Sequence, residues 1–218
     1  MVGNVFFTYC ILIALVLVFF STVTVECVVV GASMRPKYNN DTKKGNDTVY
    51  VNTLNKVYNY GDIIVINVQD RDPIIKRVIA LPGDVVDVVF DENDGYKLEI
   101  NGKLIEEDYL LIKHDEENIL NQKGLYTTFV HFHGSLKENH PELFMRSGKL
   151  VVPNGEIFAL GDNRHDSKDS TYYGTFKMSQ IAGVVELERK AGEGEFKLYW
   201  NYVTNGKFFS TIANCFNK

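Results

Sequence analysis

Three short stretches of this chain carry side chains whose type and setting suit covalent chemistry. Ser33 stands in Gly31-Ala32-Ser33-Met34-Arg35-Pro36, directly after a run of valines. Small residues before it let the backbone turn tightly and present a hydroxyl, and Pro36 stiffens the exit. Taken alone, the hexapeptide reads more readily as a plain turn. Lys76 lies inside Ile74-Ile75-Lys76-Arg77-Val78-Ile79-Ala80-Leu81, an apolar strand pattern in which an ammonium is out of place. Burial there lowers a lysine's pKa, and a drop of about 3 units corresponds to about 4 kcal/mol of lost charge stabilisation. A lysine tuned in this way serves as a general base and activates a serine. Its bland alternative is an edge-strand lysine reaching out to water. The third stretch, Gly161-Asp162-Asn163-Arg164-His165-Asp166-Ser167-Lys168-Asp169-Ser170, is dense in short polar side chains and fits a hydrogen-bonded turn network. It lacks the spacing and glycine of an EF-hand loop.

The elements that must position these residues are mostly strands. Period-two patterns mark Val28–Val30, Thr48–Asn52, Asp62–Val68, Ile74–Leu81 and Val85–Phe90. Tyr96–Ile100 and Lys103–Glu107 flank Asn101-Gly102, the signature of a type I′ hairpin. Further strands are expected at Tyr126–Phe132, Glu156–Leu160, Ile181–Glu188 and Phe196–Tyr202. Residues 106–148 are more polar and weakly periodic, an excursion from a β core. Phe208, Phe209, Ile212, Ala213 and Phe216 suggest a short C-terminal amphipathic helix packing on the body.

Composition averages conceal a division along the chain. The 218 residues hold 23 Lys and Arg against 28 Asp and Glu, a net charge of −5 that lacks the basic excess of a nucleic-acid binder. No acidic or basic side chain precedes Glu26. Val5–Val25 is an uncharged apolar run of about 21 residues, about 31 Å as a helix, which matches a bilayer's hydrocarbon core. It has no basic n-region and no A-x-A site after it, so it reads as an uncleaved anchor rather than a cleaved signal. Arg35 and Lys37 follow it closely, and by the positive-inside rule alone they would place the body in the cytoplasm. Cys10 lies within the run, leaving Cys27 and Cys215 as the one pair able to bridge.

An N-terminal apolar anchor, S-M-x-P, G-D-I-I-V-I, K-R-V-I-x-L-P-G-D and G-D-N-R-x-x-S-x-D-S occur in that order. This succession resembles the bacterial type I signal peptidases, membrane-bound Ser/Lys proteases, from Val5 to about Leu187. The resemblance implies a mainly β protein: a signal-peptidase-like sheet domain with an inserted smaller domain, preceded by one transmembrane helix. It implies an anchor at 1–26, a catalytic domain in two parts at 27–84 and 151–190, a β-rich insertion at 85–150 and a C-terminal extension at 191–218. It places the nucleophile on Ser33, the general base on Lys76 and the lysine-orienting serine on Ser167. Asp169 becomes the loop's supporting acid, with Arg77 its basic partner, while Gly31, Ala32 and Met34 line the substrate site. The Ser33 N–H would serve the oxyanion hole. The implied substrates are signal-peptide-bearing precursors cleaved after small residues, with no metal or cofactor, by a domain on the outer side of the cell membrane.

Three positions depart from the family pattern. Thr171 stands where an arginine usually follows, Gly31 where some members carry a serine, and Ala80 where glycine is common. The alternative to an active enzyme is a catalytically weak or inactive assembly factor for a dedicated surface protein such as a pilus subunit. Rival hydrolases fit less well. His131 and His133 would share a strand face as metal ligands with His140 or His114, but no metalloprotease motif accompanies them. Around Ser33 the last glycine of a nucleophile elbow is missing. Position 36 is proline, which breaks S-x-x-K. A soluble self-cleaving Ser/Lys repressor would not carry the anchor.

Overall fold

The computed structural model describes residues 21–92, 95–110 and 125–194, together with positions 7, 8, 10, 11, 14, 15, 18 and 198. Eleven strands among these residues form two antiparallel sheets. Seven of them, in the order β1-β2-β11-β3-β4-β9-β10, comprise β1 (Thr24–Val28), β2 (Thr48–Asn52), β3 (Ile63–Ile66), β4 (Ile74–Ala80), β9 (Glu156–Leu160), β10 (Phe176–Lys177) and β11 (Ile181–Arg189). The second sheet, β7-β6-β5-β8, is built from β5 (Val85–Asp91), β6 (Gly95–Ile100), β7 (Lys103–Leu104) and β8 (Leu150–Val151).

Burial explains the sequence patterns. All four residues of β3 are buried, and Ile64 and Ile66 pack with Val78, Ile157, Ala159 and Ile181, while Ile63 and Val65 pack with Met34, Tyr38, Val49, Val51 and Ile75. A strand covered on both faces loses its polar alternation and reads as a continuous apolar run. In the second sheet, by contrast, Val86, Val88, Leu98, Ile100 and Leu150 point inward and the intervening residues are half-buried. Asn101 and Gly102 adopt φ of 54° and 78°, the left-handed pair of a type I′ turn.

Three expectations change. The first strand is Thr24–Val28 rather than Val28–Val30, because Thr24–Val28 pairs in register with Asn52–Thr48 of β2. Residues 125–131 are helical, not a strand, and continue through a π-type turn (Phe132–Leu136) to Asn139. There Leu125, Phe129, Phe132 and Leu136 repeat at helical spacing, and Phe132 and Leu136 are fully buried. The β-branched and aromatic content of Tyr126–Phe132 favoured a strand locally, and tertiary packing overrides that preference. His131 and His133 therefore share no strand face; His133 instead reaches the Val88 carbonyl, 2.8 Å from its Nε2. Cys27 carries a free thiol.

The described residues from Phe7 to Val23 are helical. Among the described residues no helix is long and apolar enough to cross a membrane, and much of Val5–Val25 lies outside them. The strand expected at Phe196–Tyr202 lies outside them too, apart from a helical, buried Leu198, as do His114, Cys215 and the C-terminal amphipathic stretch.

Candidate active site

Three elements converge on Ser33. After β1 the chain crosses the face of the seven-stranded sheet, and Val29, Met34 and Tyr38 bury themselves against Val49, Val51, Ile63, Val65 and Ile75. Gly31 turns this crossing at φ 91°, a conformation that disfavours a side chain. Met34 is 1% exposed, so it anchors the turn in the core rather than facing solvent. Ser33 and Ala32 remain half-exposed above it. Residues Ala32–Tyr38 form tight turns, with Arg35 N–H donating to Ala32 O (3.0 Å) and Tyr38 N–H to Met34 O (2.9 Å).

The second element is β4. Its pairing with β3 sets Lys76 opposite Ile64 and Arg77 opposite Ile63. Lys76 is 3% exposed, and its Nζ lies 2.8 Å from Ser33 Oγ and 2.7 Å from the Ile75 carbonyl. Burial drives the lysine pKa down to about 8, against the opposing pull of the Asp169 and Asp162 carboxylates. An amine that is neutral slightly above pH 8, in contact with a hydroxyl, can accept its proton.

The third element is the loop after β9. Leu160 pairs with Arg77, so Gly161 follows alongside Lys76. Asn163 N–H donates to Ser33 O (2.9 Å) and its side-chain amide to Ala32 O (3.2 Å), fixing the backbone that carries the hydroxyl. Arg77 forms a two-pronged ion pair with Asp162, Nε to Oδ1 at 2.8 Å and Nη2 to Oδ2 at 2.5 Å, and also donates to Gly61 O. Behind it, Arg164 donates to Gly161 O (3.1 Å) and to both carboxylate oxygens of Glu107.

Two expected pairings differ. Asp169 is not paired with Arg77; it caps the short helix Ser170–Tyr173, accepting from Gly161 N–H (3.0 Å), Thr171 N–H (3.0 Å) and Thr171 Oγ1–H (2.9 Å). The threonine hydroxyl thus supplies a donor where the family pattern has an arginine, and Asp162 occupies Arg77. Ser167 makes no hydrogen bond to Lys76; its Oγ is buried with no partner among the described residues, close against Gly161. Lys76 directs its ammonium donors to Ser33 and the Ile75 carbonyl instead.

Sequence reasoning placed the loop but not the roles of Asp162, Asn163, Arg164 and Glu107. Asp162 and Arg164 were visible as charges beside glycine, a composition that signals a network without its partners. Glu107, in the weakly patterned excursion, gave no signal. Among the described residues no three His, Cys, Asp or Glu side chains cluster to hold a metal ion.

A family model described as signal peptidase, peptidase S26, matches residues 2–188. The chain is 35% identical over 192 residues to signal peptidase I of Bacillus caldolyticus, covering 84% of this chain and 86% of that one. It is 34% identical over 184 residues to signal peptidase I P of Bacillus subtilis subsp. natto, covering 81% and 84%. A signal peptidase I crystal structure from Enterococcus faecalis V583 overlaps 59% of this chain and 96% of its own at 28% identity, with a TM-score of 0.39, too loose to bear on the fold.

Proposed function

This chain belongs to the signal peptidase family, peptidase S26, and from that premise we propose that it is a membrane-anchored serine endopeptidase that removes signal peptides from exported precursors with a Ser33/Lys76 dyad. The observation that carries the reading is the 2.8 Å contact between Lys76 Nζ and Ser33 Oγ. The lysine in that contact has a pKa near 8.

Neutral Lys76 takes the Ser33 hydroxyl proton as Oγ attacks the scissile carbonyl carbon. The Ser33 N–H stabilises the resulting oxyanion. The Lys76 ammonium then returns the proton to the departing amine, the peptide C–N bond breaks and Ser33 holds the signal peptide as an ester. Lys76 next deprotonates a water that attacks the ester and then passes that proton to Ser33 Oγ as the C–O bond breaks, releasing the signal peptide and regenerating the serine and the neutral lysine. Among the described residues β4 has no partner strand beside Ile74 and Ile75 on the side where β9 pairs farther along, since β9 pairing begins at Arg77. An extended signal peptide pairs there next to Ser33 by strand addition. Small side chains fit the positions before the cleaved bond, beside Gly31 and Ala32.

Anchoring is supported by the helical Phe7, Ile11, Leu15 and Val18, apolar side chains exposed by 44–67%. Such a surface suits lipid. The body then lies on the outer side of the membrane, where translocated precursors emerge. The split of the chain into 27–84 and 151–190 around an 85–150 insertion is supported by the two sheets, whose strands divide close to those lines, with β1 beginning at Thr24 and β8 ending at Val151. Purified full-length protein incubated with a panel of exported precursors tests the activity: cleavage lost in Ser33→Ala supports the reading, and cleavage retained at the wild-type rate removes it. Protection of the body from protease added to intact cells would reverse the orientation.

A further inference from the structure

Glu107 lies outside every motif that carries the family resemblance, yet its carboxylate reaches the loop that holds the nucleophile. On the reading above, we propose that Glu107 is a positioning residue for catalysis, acting through Arg164 on the backbone at Gly161 and Asn163 and hence on Ser33.

The geometry is a chain of short contacts. The Glu107 and Arg164 side chains are 6% and 4% exposed and meet in a two-pronged ion pair, Nη1 lying 2.9 Å from Oε2. The Arg164 Nε donates to Gly161 O, while Asn163 N–H, one residue before Arg164, donates to Ser33 O. Tyr109, two residues after Glu107, donates its hydroxyl to the same carboxylate, and its ring sits 4.1 Å from the Arg77 guanidinium. One short segment following β7 therefore closes over both arginines, one on the catalytic strand and one on the catalytic loop. The second sheet, which contributes no reacting group, is thereby joined to the site.

Charge makes this segment more than a strut. A guanidinium this deeply buried is held only while its carboxylate remains ionised opposite it. Neutralising Glu107 leaves Arg164 to seek water, and the Gly161 and Asn163 backbone moves with it. Displacements below 1 Å at a nucleophile cost large factors in rate. Glu107 is nearly enclosed and spends its carboxylate on Arg164 and Tyr109, so substrate affinity is not expected to change.

The test uses full-length protein reconstituted in lipid, a precursor that the wild type cleaves, and rates expressed per Ser33 titrated with an acylating probe. Glu107→Gln is expected to lower kcat at least 30-fold with KM within threefold, the signature of an interaction that acts in the transition state. Glu107→Asp recovers part of the rate. Glu107→Gln combined with Arg164→Gln falls no further than the worse single variant, as for two members of one device. If Glu107→Gln does not fold, Tyr109→Phe carries the test, since it keeps the ring over Arg77, and kcat drops about threefold or more. Unchanged kcat per titrated site in the folded variants, or single effects that multiply in the double variant, overturns the proposal. A wild type without Ser33-dependent cleavage overturns the parent reading instead, and the two failures are distinct.

Discussion

Gly161 lies so close beneath Ser33 that a β-carbon on it would stand 2.5 Å from the Ser33 carbonyl oxygen and 2.3 Å from Ser167 Oγ. The serine hydroxyl can rotate away, but the carbonyl belongs to the backbone of the proposed nucleophile and moves only if that nucleophile moves. Gly161→Ala should therefore lower kcat/KM by about 100-fold or more. The overpacking should also cost about 1–3 kcal/mol in denaturant unfolding. A variant with wild-type turnover would show that Ser33 tolerates displacement.

The pH dependence follows from Lys76. Its protonated form cannot accept the serine proton, so log kcat/KM should rise with unit slope as pH increases and level off above about 8, the pKa set by burial. Stability also rises with pH, over the window above that plateau's onset, from about 8 to 10.5. The unfolded lysine titrates near 10.5 and the folded one near 8, so the unfolded chain binds the extra proton between these values. The contribution of this group is full above the unfolded pKa and is lost as pH falls through the folded one, by up to about 1.4 kcal/mol per pH unit. Rate profiles from pH 6 to 10 check the first claim; a midpoint near 10 would contradict it.

Asp162→Asn removes the counterion of a buried guanidinium and one of the two carboxylates that hold the Lys76 pKa up. Breaking such a pair from one side costs about 3–5 kcal/mol. Thermal or urea unfolding should show that loss, and the acid limb of the rate profile should move below pH 8. A limb that moves upward would mean that Lys76 has become exposed to water.

Much of this arrangement is legible in the sequence, for reasons tied to particular residues. β3 and β4 are readable because they are covered on both faces, which leaves Lys76 conspicuous among isoleucines and valines. The Asn101-Gly102 turn is readable because its two left-handed residues restrict composition. The helix at 125–131 is not, since Tyr126, Thr127, Thr128, Phe129 and Val130 all favour strands locally and only burial of Phe132 and Leu136 decides otherwise. Nor are the partners of Arg77 and Asp169. Three aspartates, Asp162, Asp166 and Asp169, stand in one loop, and only the pairing of Leu160 with Arg77 determines which of them faces the arginine.

Thr171 answers the question raised by the missing arginine. Its N–H and hydroxyl both donate to Asp169 Oδ1, so the acid remains satisfied without an ion pair. Thr171→Ala keeps the backbone donor and loses only the hydroxyl, with an expected cost of about 1 kcal/mol and a rate loss below about tenfold. Thr171→Val, which preserves the shape, should behave like Thr171→Ala in unfolding experiments. A loss of activity as severe as that of the Gly161 variant would show that the hydroxyl has a further role.

Deprotonation of Ser33 by Lys76 is the step on which the proposed function rests. It is tested most directly by comparing single-turnover cleavage of a precursor by lipid-reconstituted wild type, Ser33→Ala and Lys76→Ala, with folding of each verified by its unfolding curve. Loss of a positioned general base costs about 100- to 10,000-fold. The expected results are precursor cleavage by the wild type, loss of at least that size in Lys76→Ala and no acyl-enzyme in Ser33→Ala. Folded Lys76→Ala protein cleaving at the wild-type rate would contradict that step.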